Sequence, residues 1–134
     1  MWKIVARIRR RPDLSHAQFR AYYEAHHVPL AVEYLKGIAT GYSRNYISQA
    51  SRYAPEDPDW LDAADRPADY DCITIVEFAD RPSLDRVMAL LASPEVAKVI
   101  VPDEERFIDR SATEFAICEE ETSGTRPADL RSAA

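Results

Sequence analysis

Residues 2–9, WKIVARIR, alternate in a way that predicts a strand, with Trp2, Ile4, Ala6 and Ile8 on one face and Val5 and Arg7 on the other. Arg11-Pro12-Asp13 ends it. Ser15, with Gln18 three residues on, reads as a capping box. Phe19, Tyr23, Leu30 and Tyr34 then recur at helical spacing and predict a helix over 16–35. Pro29 lies inside this helix, removes one backbone donor and disfavours the α conformation at Val28, so a kink is expected near His26 and His27. Gly37 closes the helix. Residues 38–49 predict a second strand, with Tyr42, Arg44 and Tyr46 on one face and Ser43, Asn45 and Ile47 on the other. Residues 71–79, DCITIVEFA, predict a third. Pro82 opens a helix with Leu84, Val87, Met88 and Leu91 as its buried stripe. A short helix over 95–101, a charged connection over 102–110 and a fourth strand over 113–120 complete the series.

The order β-α-β-β-α-β predicts an α+β chain with a ferredoxin-like fold, a four-stranded antiparallel sheet carrying both helices on one face. Strand 3 is apolar on both sides, Ile73 and Ile75 against Val76 and Phe78, so the second sheet face needs a cover. A second copy of the chain, a homodimer, supplies it most simply. One domain is expected over 1–120, followed by a polar tail over 121–134. Within the domain the long acidic stretch 50–70 reads as a lid-like loop, with Trp60 and Leu61 docking back onto the body.

Composition narrows the function more than it names it. Of the 134 residues 46% are hydrophobic and 30% charged, which is ordinary for a globular chain. A net charge of -6 argues against nucleic acid as a partner, because phosphate recognition needs a basic face. No apolar run approaches the roughly 20 residues that span a membrane, and the N-terminus lacks a signal-peptide pattern. On these features a cytoplasmic location is expected. Cys72 and Cys118 sit in apolar strand-like runs and read as buried free thiols rather than metal ligands. With three glycines there is no phosphate-binding loop, and His26 and His27, adjacent on a helix, point apart, so neither a cofactor nor a metal is expected.

Three groups of residues can carry chemistry. His27 follows Tyr23 by one helical turn beside the proline kink, and an imidazole both takes and gives a proton near neutral pH. The bland alternative is a packed histidine. Asp103, Glu104 and Asp109 form an acidic constellation, able to orient His27 or to pair with Arg106 and Arg110. Asp109 and Asp103 are placed nearest the pocket. Tyr23, Tyr42, Asn45 and Tyr46 are hydrogen-bonding groups on otherwise apolar faces, and Glu77, alone among apolar neighbours, either faces a pocket or pairs with Arg7 or Arg44 across the sheet.

The chain resembles the EthD-like family of the dimeric α+β barrel superfamily. The likeness rests on Arg11, Pro12, Leu14, Ser15, Phe19, Tyr22, Tyr23, His27 and Pro29, then Tyr42 and Asn45, then Asp103, Glu104, Phe107 and Asp109, in that order. The resemblance implies a dimer of ferredoxin-like units with a pocket between sheet and helices, and it favours a functional His27. It implies a cofactor-independent acid–base enzyme acting on an aromatic or polyketide-like molecule by dehydration, cyclisation or isomerisation. In that reading His27 is the base and then the acid, and Asp109 or Asp103 orients it. Tyr23, Asn45, Tyr46, Glu77 and Trp60 meet the substrate. A cofactor-free monooxygenase of a hydroquinone or anthrone and a non-catalytic ligand-binding module are the alternatives.

Overall fold

The alternating stretch at the N-terminus forms β1 (Trp2–Ile8), with Ile4, Ala6 and Ile8 buried and Val5 half-buried on the opposite side. The structure is a computed structural model that describes residues 1–61 and 69–124. After β1 come α1 (His16–Tyr22), a π turn (Tyr23–His27), α2 (Val28–Leu35), β2 (Gly41–Tyr46), β3 (Cys72–Phe78), α3 (Arg81–Ala92), α4 (Pro94–Glu105), a 3-10 turn (Arg110–Ala112) and β4 (Glu114–Glu119). The strands form one antiparallel sheet in the order β2-β3-β1-β4. This is the ferredoxin-like arrangement that the element order predicts.

Register fixes the two faces. Ile4 pairs with Val76, Ala6 with Thr74 and Ile8 with Cys72, and all six are buried beneath the helices. Two clusters make the core. An aromatic one holds Phe19, Tyr23 and Phe107 against Ala6, Ile8, Cys72 and Ile108. An aliphatic one holds Leu84 and Val87 against Ile4, Val76 and Phe78. The opposite face carries Val5 beside Ile75 and Ala116 in neighbouring strands, flanked by Lys3 paired with Glu77 and Glu120. Among the described residues no helix lies over it.

The first helix starts where its capping box places it: Ser15 Oγ accepts from the Gln18 amide at 3.1 Å, and Gln18 Oε1 accepts from the Ser15 amide at 2.8 Å. Its kink is a π turn. Pro29 has no N–H for the Ala25 carbonyl, and one residue before it the ladder widens, so that the Val28 amide bonds the Tyr23 carbonyl. Gly37 adopts φ 77°, which lets the amides of Ile38 and Ala39 fold back on the Leu35 carbonyl. Those bonds use up the segment before Thr40, so β2 begins at Gly41 rather than at 38.

Two sequence expectations change further along. The charged connection expected from 102 is helical to Glu105, because Pro102 removes a single donor while buried Ile100, Phe107 and Ile108 hold the turn on either side. The loop after β2 folds on itself instead of docking on the body. Trp60 packs edge-on against Tyr53 at 5.5 Å, Gln49 donates to the Leu61 carbonyl, and Tyr53 and Leu61 are exposed. The remainder of the expected lid, 62–68, and the tail from 125 lie outside the described residues. Cys72 is buried as expected, whereas Cys118 is half-exposed on the uncovered face.

Candidate active site

Between the two core clusters lies a cavity of about 100 Å³. Its walls are almost wholly apolar, with Ile4, Ala6 and Val76 from the sheet and Val87, Leu91 and Ile100 from α3 and α4. Against this background six side chains among the described residues bring polar atoms: Tyr23, His27, Tyr34, Tyr42, Thr74 and Glu104. A concave apolar space with a few converging polar groups is the usual form of a small-molecule site. Beside it, between α3, α4 and β4, a wider groove of about 410 Å³ shares Leu91, Ile100, Glu104, Ile108 and Phe115 with the inner cavity.

His27 ends the π turn and reaches the cavity wall. Its Nδ1 lies 2.8 Å from Asp103 Oδ2, and both side chains are 14% exposed. A carboxylate only accepts, so in the neutral ring Nδ1 carries the hydrogen and Nε2 is the acceptor. Nε2 has no hydrogen-bond partner among the described residues. Burial holds the imidazole pKa below its usual value, and Asp103 only partly opposes this. The ring is therefore a neutral base in neutral solution. Phe107 at 5.0 Å and Tyr23 at 5.4 Å between ring centroids wedge it in place.

Asp103 is held in turn. Its second oxygen accepts from the Tyr22 hydroxyl at 2.6 Å. Tyr22 and His27 are five residues apart, and at 3.6 residues per turn they would point about 140° away from each other. A π turn, whose bonds join residues five apart, brings them to one side. The irregularity beside Pro29 is thus what allows one carboxylate to hold both groups.

On the sheet side Tyr23 Oη lies 2.6 Å from Thr74 Oγ1, both deeply buried. Burial keeps the Tyr23 and Tyr42 hydroxyls protonated far into the alkaline range. They are hydrogen-bond donors suited to a developing oxyanion.

The structure therefore brings His27, Asp103 and Tyr23 together and separates the other sequence candidates from them. Asp109 caps the 3-10 turn, accepting from the Ser111 amide at 3.1 Å and its hydroxyl at 2.6 Å, which holds its carboxyl below the ordinary range. Those bonds fix it away from His27. Asn45 lies on the uncovered sheet face, because strand alternation sets it opposite Tyr46, and donates to the Ile73 carbonyl. Glu77 is on that face as well and pairs at 3.2 Å with Lys3, its cross-strand neighbour, rather than with Arg7 or Arg44. Tyr46 is on the helix side but outside the cavity, its hydroxyl bound to Glu24 at 2.5 Å. Arg44 grips the same carboxylate through two nitrogens at 2.8 and 2.9 Å, and this clamp lowers the Glu24 pKa to about 2. Trp60 meets Tyr53 in the loop and does not line the cavity. Tyr22 and Thr74 were not singled out as site residues. Thr74 carries a visible signal, the one hydroxyl on the buried register of an otherwise apolar strand; Tyr22 carries only its place in the resemblance, because its role depends on the π turn.

Comparison with known proteins bears on the fold and the family. A dehydratase, ustZ of Ustilaginoidea virens, is 28% identical over 110 residues, 81% of this chain and 75% of its own length. An ethyl tert-butyl ether (EthD) family protein from Bacillus halodurans superposes with a TM-score of 0.59 at 17% identity, covering 90% of this chain and 99% of that one. SnoaB, a cofactor-independent oxygenase from Streptomyces nogalater, superposes with a TM-score of 0.52 at 11% identity, covering 93% and 97%. At these identities the two structures speak for the fold alone. Residues 11–111, from the turn before α1 through the Asp103 segment to the 3-10 turn, match the EthD domain, so that the chain belongs to the EthD family.

Proposed function

We propose that the protein is a cofactor-independent acid–base enzyme that removes water from a β-hydroxy ketone of aromatic or polyketide type. One observation carries the reading: a largely enclosed histidine, its Nδ1 held by Asp103 at 2.8 Å, on the wall of an apolar cavity. His27 Nε2 takes the proton beside the carbonyl. The electron pair moves to the carbonyl oxygen, where the Tyr23 or Tyr42 hydroxyl donates to it. Desolvation in the apolar cavity strengthens these bonds. That a 28% identical relative is named a dehydratase supports the choice of elimination over other acid–base reactions.

The same proposal includes a homodimer. Val5, Ile75 and Ala116 make an apolar strip across the middle of the uncovered sheet face, with charged pairs at its margin. A second copy presenting the same strip buries both.

The test uses 3-hydroxy-1-tetralone, which loses water to give 1-naphthol, followed by naphthol fluorescence. The wild type is expected to form naphthol. His27→Gln is expected to be slower by about 100-fold or more, the usual contribution of a positioned base. Asp103→Asn is expected to be slower while Asp109→Asn stays at the wild-type rate. Oxygen consumption with anthrone and no naphthol from the tetralone would overturn the proposal in favour of an oxygenase. Tight binding of the tetralone without turnover would overturn it in favour of a binding module.

A further inference from the structure

Elimination of water needs a second proton, delivered to the departing hydroxyl. His27 is poorly placed to supply it from the ring that has just taken one. Asp103 fixes that ring at Nδ1, and the Phe107 and Tyr23 rings pack against it.

Glu104 stands next to Asp103 on the last turn of α4, yet the two carboxyls are used differently. Asp103 is turned to Tyr22 and His27, with both oxygens engaged. Glu104 lines the inner cavity and the outer groove alike, at the boundary between them. Its backbone is fixed, because its carbonyl accepts from the Phe107 and Ile108 amides at 3.1 and 2.9 Å. Its carboxyl has no hydrogen-bond donor among the described residues. An ionised carboxylate in such a place lacks the bonds that would stabilise it. The negative end of the α4 dipole disfavours the charge further.

The surroundings of Glu104 are mostly apolar or uncharged. The cavity that it lines is bordered by Tyr23 and His27 from the π turn, Tyr34 from α2, Tyr42, Thr74 and Phe115 from the sheet and, from α3, among the described residues, apolar side chains such as Leu91. Its own helix adds Asp103 and Glu105, and the turn after it adds Arg110, among the described residues the one cation lining the groove. Burial raises its pKa above the ordinary glutamate value; Arg110 opposes this, and Asp103 and Glu105 add to it.

We infer that Glu104 is the proton donor of this site, placed to protonate the hydroxyl that leaves from a substrate lying with its carbonyl in the inner cavity and its β carbon toward the outer groove. This rests on the dehydration reading. The steps balance. His27 Nε2 takes the α proton and the C–H pair forms the enolate. The enolate reforms the carbonyl, and the carbon–oxygen bond of the β-hydroxyl breaks with its pair on oxygen. The Glu104 proton joins that oxygen, and water departs through the outer groove. His27 is left as imidazolium and Glu104 as carboxylate, and exchange with water restores both. The inner cavity alone is below the roughly 300–1,000 Å³ of common ligand sites, and with the groove it falls within that range. A bicyclic ketone placed across the boundary would therefore meet Glu104.

The test compares two leaving groups. 3-Hydroxy-1-tetralone needs its hydroxyl protonated, whereas 3-acetoxy-1-tetralone expels acetate unaided, and both give 1-naphthol. Glu104→Gln is expected to lower kcat on the hydroxy compound by about 100-fold or more with KM little changed, and on the acetoxy compound by less than about fivefold. Glu104→Asp is expected to recover part of the loss. His27→Gln is expected to be slow on both. An equal loss on both compounds, or none on either, would overturn the donor role while leaving the dehydration reading intact. Wild-type protein inert to both compounds would overturn the dehydration reading and the donor role with it. Independently of turnover, carbon-13 titration of glutamate carboxyls should show one resonance titrating above the ordinary range that Glu104→Gln removes. A Glu104 resonance at or below that range overturns the proposal.

Discussion

Replacing Tyr23 with phenylalanine removes one oxygen from the centre of the molecule and changes nothing else in shape. Tyr23 is 1% exposed, Thr74 is 5% exposed, and their oxygens are 2.6 Å apart. Without the phenol, Thr74 Oγ1 keeps, among the described residues, only Cys72 Sγ at 3.6 Å, a weak partner. A buried hydroxyl left without its bond costs about 1–3 kcal/mol, and near-complete burial places this case at about 2 kcal/mol. Thr74→Val is the milder half, because the Tyr23 hydroxyl still has the Tyr42 hydroxyl beside it, and about 1 kcal/mol is expected. The double variant leaves neither member of the pair stranded, so it should cost no more than Thr74→Val alone. The cycle then yields a coupling of about 2 kcal/mol. Urea unfolding followed by circular dichroism, at one protein concentration, measures all four species, and the slope m should not change because the buried surface does not. Single effects that add to within about 0.5 kcal/mol would refute the reasoning, since unconnected groups behave that way.

Other outcomes follow from the same structure. Phe107→Ala deletes a ring that touches Phe19, Tyr22, Tyr23 and His27, and it should cost about 3–5 kcal/mol by thermal unfolding while freeing the His27 ring. Ser15→Ala breaks the capping box and should cost about 1 kcal/mol, seen as a few degrees in Tm. The pKa of buried His27 is depressed, so the unfolded chain binds its proton first. Stability should fall as pH drops below about 6.5, and His27→Gln should flatten that limb of the urea midpoint against pH. Glu24 is depressed to about 2, so its clamp by Arg44 contributes fully above the unfolded value of 4.5 and is lost on acidification between the two; Glu24→Gln should remove that acid limb. Ile75→Glu, on the uncovered face, should shift sedimentation from dimer to monomer, and a wild type that sediments as a monomer at micromolar concentration would refute the dimer.

The sequence determined by itself what depends on local chemistry and on period. Alternation over 2–9 and 71–79 placed β1 and β3 and their buried faces, because a strand's side chains have only two directions. Ser15 and Gln18 placed the helix start, Pro29 the region of the kink, and Gly37 its end, since each acts on bonds within a few residues. These elements in order were enough for the ferredoxin-like fold. His27 and Asp103 were both legible as candidates, but their pairing was not. Asp103 and Asp109 are equivalent as letters, and only the packing of α4 against the π turn sends one to the imidazole while the 3-10 turn ties up the other. Asn45 and Glu77 were chemically plausible for a pocket, and the register of the sheet put both on the far side of it. Tyr46 was within reach of the core, and Glu24 with Arg44 claimed its hydroxyl. Contacts across many residues have no period, and which of several like groups meets is settled only when the elements are packed. The same holds for Asp103 and Glu104, neighbours in sequence, of which one holds the histidine and the other faces the cavity.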